Sequence, residues 1–177
     1  MYRWRNELQQ VQVSAPNQVW VSDIIYVATA EGWLYLAVVL DLYARRIIGW
    51  SMQATLKRQL VLEALDMAIK QRRPQSGLLH HSDRGSQYAS HDYRALLIDN
   101  NIDISMSRRG NCYDNAVAES FFGSLKTECI RGVVYPSRRQ AKLALFDYME
   151  VFYNRQRLHS TLGDVPPAEF ERMNGIL

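Results

Sequence analysis

The run V-W-V-S-D-I-I-Y-V-A at residues 19–28 constrains the fold of this chain more than any other stretch. It is filled with aromatic and β-branched residues and reads as a β-strand. Side chains alternate along a strand, so Asp23 falls on the same side as Val19, Val21, Ile25 and Val27. A carboxylate among four apolar side chains is costly unless it is paired, hydrogen-bonded or bound to a cation. The alternatives at this point are a capped or salt-bridged structural aspartate and a cation ligand.

The segments that follow build a sheet around that strand. Glu31-Gly32 makes a turn, and residues 33–40 form a second strand, apolar nearly throughout. Asp41 opens the next turn, and residues 45–52 return as a third strand. Short turns between consecutive strands give an antiparallel meander. Residues 57–72 then change period, with Leu60, Ala64, Leu65, Ala68 and Ile69 on one helical face ending before Pro74. Residues 77–81 form a fourth strand, which a helical crossover makes parallel to one already present. Asp83 lies immediately past its carboxyl end, where sites form in such sheets. As the residue before Arg84-Gly85, it also suits a plain turn.

Residues 90–100 read as a helix capped by Ser90, and residues 102–106 as a fifth strand. A polar loop with Arg108 and Arg109 leads to D-N-A-V-A-E-S-F-F-G-S-L-K at residues 114–126, the opening turns of a helix capped by Asp114. Ala118, Phe121, Phe122, Leu125 and Cys129 make its apolar stripe. At about 100° per residue, Glu119 and Lys126 project within roughly 20° of each other, two turns apart. Gly123 leaves bare backbone between them. Residues 136–154 read as one long helix, and the tail carries Gly163, Pro166-Pro167 and a brief helical turn. The expected organisation is an arm or linker at 1–16, a core at 17–132 and a helical extension of the same domain at 133–177.

Composition narrows the function classes. A chain of 177 residues with 47% apolar and 22% charged content is globular. Its longest apolar run, residues 33–40, is too short to span a bilayer, and no export signal is evident. Two cysteines make no disulfide framework, which points to reduced thiols in a cytoplasm. The net charge is only +3, but residues 131–160 hold six basic residues against Asp147 and Glu150. A basic C-terminal third suits a polyanion, and a solvated helix face looks similar.

Three acids stand out: Asp23 on the first strand, Asp83 after the fourth, and Glu119 in the helix after the fifth, with residues 84–118 between the last two. Clustered anions repel unless divalent cations neutralise them, and magnesium takes oxygen ligands. Two such ions about 4 Å apart serve in-line phosphoryl transfer. Other residues support nothing comparable. His80 and His81 alternate to opposite faces and make no zinc spacing with Cys112, so they read as core or surface histidines. Ser82 and Ser86 stand near histidine without a G-x-S-x-G elbow.

The chain resembles the catalytic domain of bacterial insertion-sequence transposases of the retroviral-integrase type. The resemblance covers residues 17–170 and rests on four motifs in order: W-V-S-D-I-I-Y, H-S-D-R-G-S-Q-Y, S-R-R-G-N-C-Y-D-N-A-V-A-E-S-F-F-G-S-L-K-T-E and Y-N-R-Q-R-L-H-S-T-L-G-D-V-P-P-A-E-F. It implies an α/β ribonuclease H-like fold: a five-stranded mixed sheet, made of a three-strand antiparallel meander plus two parallel strands, flanked by helices with a C-terminal helical extension. It implies a DDE triad of Asp23, Asp83 and Glu119 holding two Mg2+ ions, for which Mn2+ substitutes. Lys126 takes the place of a basic residue that contacts DNA near the reacting end.

Further expected DNA contacts are Arg108, Arg109 and Asn115 beside the Glu119 helix, and Arg155 and Arg157, with His159, after the long one. The implied activity is DNA cleavage and strand transfer by a DDE-type transposase in the bacterial cytoplasm, nucleoid-associated when active. Its partners would be transposon ends and target DNA, further copies of the chain in a homo-oligomer, and no membrane. Two departures from the family pattern stand out. Ile25 replaces a small hydroxyl residue beside Asp23, and only residues 1–18 precede the domain, so end recognition is expected to need a separate helix-turn-helix DNA-binding chain. The rival readings are a nuclease cutting RNA in hybrids and a catalytically idle remnant that binds DNA or a transposase partner.

Overall fold

The computed structural model describes residues 12–106 and 116–176. Five strands, β1 (Val19–Val27), β2 (Leu34–Asp41), β3 (Arg46–Gln53), β4 (Leu79–Ser82) and β5 (Asp103–Met106), form one sheet in the order β3-β2-β1-β4-β5. β1, β2 and β3 pair antiparallel, and β4 runs parallel to both β1 and β5. The mixed sheet expected from the sequence is therefore present, with strand ends shifted by one or two residues. The helices are α1 (Arg58–Arg72), α2 (His91–Asp99), α3 (Ala116–Leu125), α4 (Arg138–Phe146) and α5 (Pro167–Met173).

Alternation along the strands sorts the core into two layers. On one face Val19, Val21, Ile25, Val38 and Leu40 meet Phe121, Phe122 and Leu125 of α3 and Ala141 and Leu145 of α4. On the other, Trp20, Ala37, Val39 and Ile48 meet Leu60, Ala64, Leu65 and Ala68 of α1 and Tyr93 and Leu97 of α2. Gly49 lets α1 lie directly on β3: a Cβ there would sit 2.2 Å from the Ala64 carbonyl oxygen and 2.9 Å from the Ala68 Cβ. Local signals bound the helices, those at Ser90 and Pro74 as anticipated. Ser90 accepts from the Tyr93 amide, Ser137 accepts from the Gln140 amide, and α1 closes on Arg73 in the left-handed region just before Pro74.

The long helix expected at 136–154 is a composite. α4 runs into a π-helical segment, Asp147–Tyr153, and α3 likewise continues into another, Lys126–Ile130. The two segments are tied together where the Tyr148 hydroxyl donates to Glu128 Oε2 (2.7 Å). Each wider turn shifts the helical register, a device common near functional sites.

Asp41, expected as a turn residue, is fully buried at the end of β2. It does serve the turn, accepting from the amides of Tyr43 (3.0 Å) and Asn17 (2.9 Å), and burial raises its pKa despite these bonds and nearby Arg72. Beside it, buried Glu171 of α5 pairs with both Arg46 and Arg72. Asn154 completes the attachment of the tail, accepting from the Ile47 amide (3.0 Å) and donating to the Ile47 carbonyl (2.9 Å). This amide occupies β3's outer edge at an irregularity in its pairing with β2.

Glu171→Ala leaves two guanidinium groups without their shared partner, and urea denaturation is expected to show a loss of about 3–5 kcal/mol. Gly49→Ala forces α1 off the sheet and should lower stability by about 1–3 kcal/mol in the same measurement.

Candidate active site

β1 and β4 pair in parallel with a constant offset: Val19 with Leu79, Trp20 with His80, Val21 with His81. The pairing stops there, two residues before Asp23 on β1 and two before Asp83, so both aspartates lie just past it. The buried phenol of Tyr88 has both aspartates in its electrostatic surroundings. Burial pushes its pKa well above the ordinary value, and the charges of Tyr93, Asp23 and Asp83 push it further. The Tyr88 hydroxyl has no hydrogen-bond partner among the described residues.

Each aspartate is held by local backbone. Asp23 Oδ1 accepts from the Ile24 amide (2.9 Å), and Asp83 Oδ1 accepts from the Gly85 amide (2.7 Å) in the turn after β4. A Cβ at Gly85 would lie 2.9 Å from the same carboxylate oxygen, so a side chain there would displace the Asp83 carboxylate. Both carboxylates are half-buried. Ile25 is buried in the layer that faces α3, so the departure from the family pattern beside Asp23 is absorbed as core packing.

Buried histidines take polar partners on the two faces of β4. His80 Nε2 is within hydrogen-bond distance of Ser22 Oγ (2.8 Å) and the Tyr93 hydroxyl (3.0 Å), and His81 Nδ1 shares a bond with Ser105 Oγ (2.9 Å). The two histidines face opposite sides as alternation required, and both are buried. Burial, reinforced by His81, pushes the His80 pKa down to about 3, so the ring is neutral at physiological pH.

Glu119 is exposed in the first turn of α3, the helix that covers the face carrying Asp23. Among the described residues, no three His, Cys, Asp or Glu side chains are grouped closely enough to hold a metal ion. Asp23 and Asp83 thus both stand near the Tyr88 phenol, while Glu119 is exposed on α3. As hard oxygen donors, the two aspartates have the chemistry that magnesium takes. Gly123 has open space where a side chain would stand. Lys126, exposed at the start of the π-helical segment, lines a groove of about 430 Å³ with Ile24, Ile25, Tyr26, Ile130 and Arg131.

The other expected DNA contacts divide. Arg155 is exposed. The Arg157 guanidinium instead engages Glu128 (2.7 Å) and Ser124 (3.2 Å), holding the tail to α3's continuation, and that bond keeps the Glu128 carboxyl below its usual range. His159 is buried against Tyr153 (ring centroids 5.1 Å apart), and burial lowers its pKa to about 4. Arg108, Arg109, Cys112, Asp114 and Asn115 lie outside the described residues. Sequence reasoning missed Tyr88, the groove residue Arg131 and the buried Glu171. Of these, only Tyr88, the last residue of H-S-D-R-G-S-Q-Y, stood in a motif read from the sequence.

Comparison with known proteins places this geometry. The integrase core domain family matches residues 13–112, and a second family also described as integrase core domain matches residues 119–174. The chain belongs to the integrase core domain family. It is 50% identical over 157 residues to the insertion element IS600 uncharacterized 31 kDa protein of Shigella sonnei, across 89% of this chain and 58% of that one. It is 49% identical over 166 residues to transposase InsF for insertion sequence IS3A of Escherichia coli K12, across 94% of this chain and 58% of that one. This integrase-core chain therefore spans little more than half the length of those curated relatives.

Its fold is that of retroviral integrase cores, ribonuclease H-like. The HTLV-2 integrase catalytic core domain in complex with magnesium superposes with a TM-score of 0.63 at 16% identity, covering 88% of this chain and 96% of that one. A chain of the simian T-cell lymphotropic virus intasome gives a TM-score of 0.68 at 17% identity, covering 88% and 54%. No described helix is long and apolar enough to cross a membrane.

The buried neutral His80 makes stability acid-sensitive. Its folded pKa lies below the unfolded value, so between pH 6.5 and about 3 the unfolded chain binds the extra proton and stability falls as pH falls. Urea midpoints measured from pH 7 to pH 5 should show a loss approaching about 1.4 kcal/mol per pH unit from this ring once below its unfolded pKa. His80→Asn should flatten that slope.

Proposed function

We propose that the chain is the catalytic domain of a DDE-type transposase that cuts DNA phosphodiesters and transfers the strands of an insertion sequence. What supports this reading is the pairing of β1 with β4, past which both Asp23 and Asp83 stand, in a chain 49% identical to an InsF transposase. Asp23, Asp83 and Glu119 would hold two Mg2+ ions, with Mn2+ substituting. When bound, such ions supply Lewis-acid stabilisation of the attacking and leaving oxygens.

The chain's own groups do the rest. Backbone bonds from Ile24 and Gly85 fix one oxygen of each aspartate. Glu119 is the third ligand, carried by α3. Lys126 fixes a phosphate of the reacting strand by charge, and Gly123 keeps the approach beside it open. Arg108, Arg109, Asn115 and Arg155 extend the contact along the DNA backbone, and Arg157 contributes through the segment it braces. The working assembly would be a homo-oligomer that pairs transposon ends with target DNA in the bacterial cytoplasm, at the nucleoid. A separate helix-turn-helix chain would supply end recognition.

The test uses the full chain, pre-cut DNA carrying the inverted repeats that flank its gene, and Mg2+. Joining of the end to a target is expected, and EDTA should abolish it. Glu119→Gln and Asp23→Asn should each reduce joining below detection while leaving thermal melting and weak DNA binding nearly unchanged. Joining retained in either variant would remove the triad assignment.

A further inference from the structure

β1 is paired with β2 from Trp20 to Val27, but with β4 only from Val19 to Val21. Among the described residues, its other edge stays unpaired past that point until Thr29, where Tyr135 forms a short parallel bridge: the Ala30 amide donates to the Tyr135 carbonyl (2.8 Å) and the Tyr135 amide to the Ala28 carbonyl (3.0 Å). The Gln18 carbonyl accepts on this same edge, from the Leu79 amide. Backbone groups of the same parity, those of Ile24 and Tyr26, therefore face the gap. The Ile24 amide is met there by Asp23's own carboxylate.

The far wall of the gap is the π-helical segment that follows α3, and the space between is the 430 Å³ groove lined by Ile24, Ile25, Tyr26, Lys126, Ile130 and Arg131. Two cations stand over an apolar floor, and Arg131 is exposed. Tyr26, 50% exposed, opens an aromatic group at the rim. Its ring meets those of Tyr35 (5.0 Å) and Trp33 (6.1 Å), and Trp33 is itself 52% exposed. Cations along a groove with stacking rings at its mouth are the combination that holds an unpaired nucleic-acid strand.

We propose that the open edge of β1 is a seat for the single-stranded tail of a DNA substrate, leading to Asp23. Lys126 and Arg131 hold its phosphates, and Tyr26, backed by Trp33 and Tyr35, stacks on a base. The assignment rests on the transposase reading for its substrate class, and it adds Arg131 and Tyr26 as binding residues.

The experiment measures fluorescence anisotropy of the full chain in EDTA, with a labelled duplex carrying a short oligothymidine tail and with its blunt counterpart. The wild-type chain should prefer the tailed duplex. Tyr26→Ala should remove roughly fivefold or more of the affinity for the tailed duplex and little for the blunt one. Arg131→Ala should reduce the slope of log affinity against log salt by about 0.7 on the tailed probe. Both positions are exposed, so unchanged melting temperatures accompany these effects. Equal affinity of the wild type for both probes, or variants that weaken both probes alike, would overturn the proposal. Metal-dependent joining by the wild type together with unchanged tail affinity in the variants removes the groove and leaves the transposase reading. Tail binding as described without any joining does the reverse.

Discussion

Three residue pairs of parallel sheet, Val19–Leu79, Trp20–His80 and Val21–His81, set the geometry on which the site depends. Parallel pairing keeps a constant register, so two acids 60 positions apart in sequence, Asp23 and Asp83, both stand two residues past its last pair. Because the pairing is so short, both acids lie beyond it, where the backbone can bend and a ligand can approach. A longer β4 would bury Asp83 in the ladder and close the edge that Ile24 and Tyr26 leave open. So short a pairing is reinforced from elsewhere.

That reinforcement comes from both ends of the sheet. Behind β1 and β4, the Ser22–His80–Tyr93 bonds link the first strand, the fourth strand and α2 with uncharged groups. An imidazolium there would place a buried positive charge behind the carboxylates and weaken their hold on a cation; burial keeps the ring neutral. At the far edge, Glu171, Arg46, Arg72 and Asp41 join β2, β3, α1 and α5 in one buried ionic cluster. Taking either acid out of the cluster strands cations in a dry place, which fixes the position of the tail more through the penalty for its loss than through net stabilisation.

The sequence exposed the sheet more fully than the helices around it. Strand alternation at Asp23 and the change of period at residue 57 were enough for the meander, the crossover and the side on which Asp23 stands, because those patterns are local. The π-helical segments left no such trace: Lys126–Ile130 and Asp147–Tyr153 carry apolar residues at spacings that suit an ordinary helix, and only packing across the two segments selects the wider turn. Glu171 was illegible for a related reason. Its burial depends on two arginines 99 and 125 residues away, and nothing near P-A-E-F announces them. Arg157 and His159 looked like part of a basic surface by composition, yet one is committed to Glu128 and the other is buried against Tyr153. Counting charges along a chain cannot separate a cation that meets solvent from one that holds two elements together.

The same distinction orders the basic residues that remain. Arg157 draws the π-helical segment inward through Glu128, and that segment carries Lys126 at its start and Arg131 at the position that ends it. Fixing the middle of the segment to the tail presents both flanking cations to the open edge of β1. A cation placed this way need not line the groove to shape it, since it holds the segment that forms the groove's wall. The C-terminal helices thus belong to the groove mechanically. They share the core beneath α3, and through Glu128 they hold that wall in place.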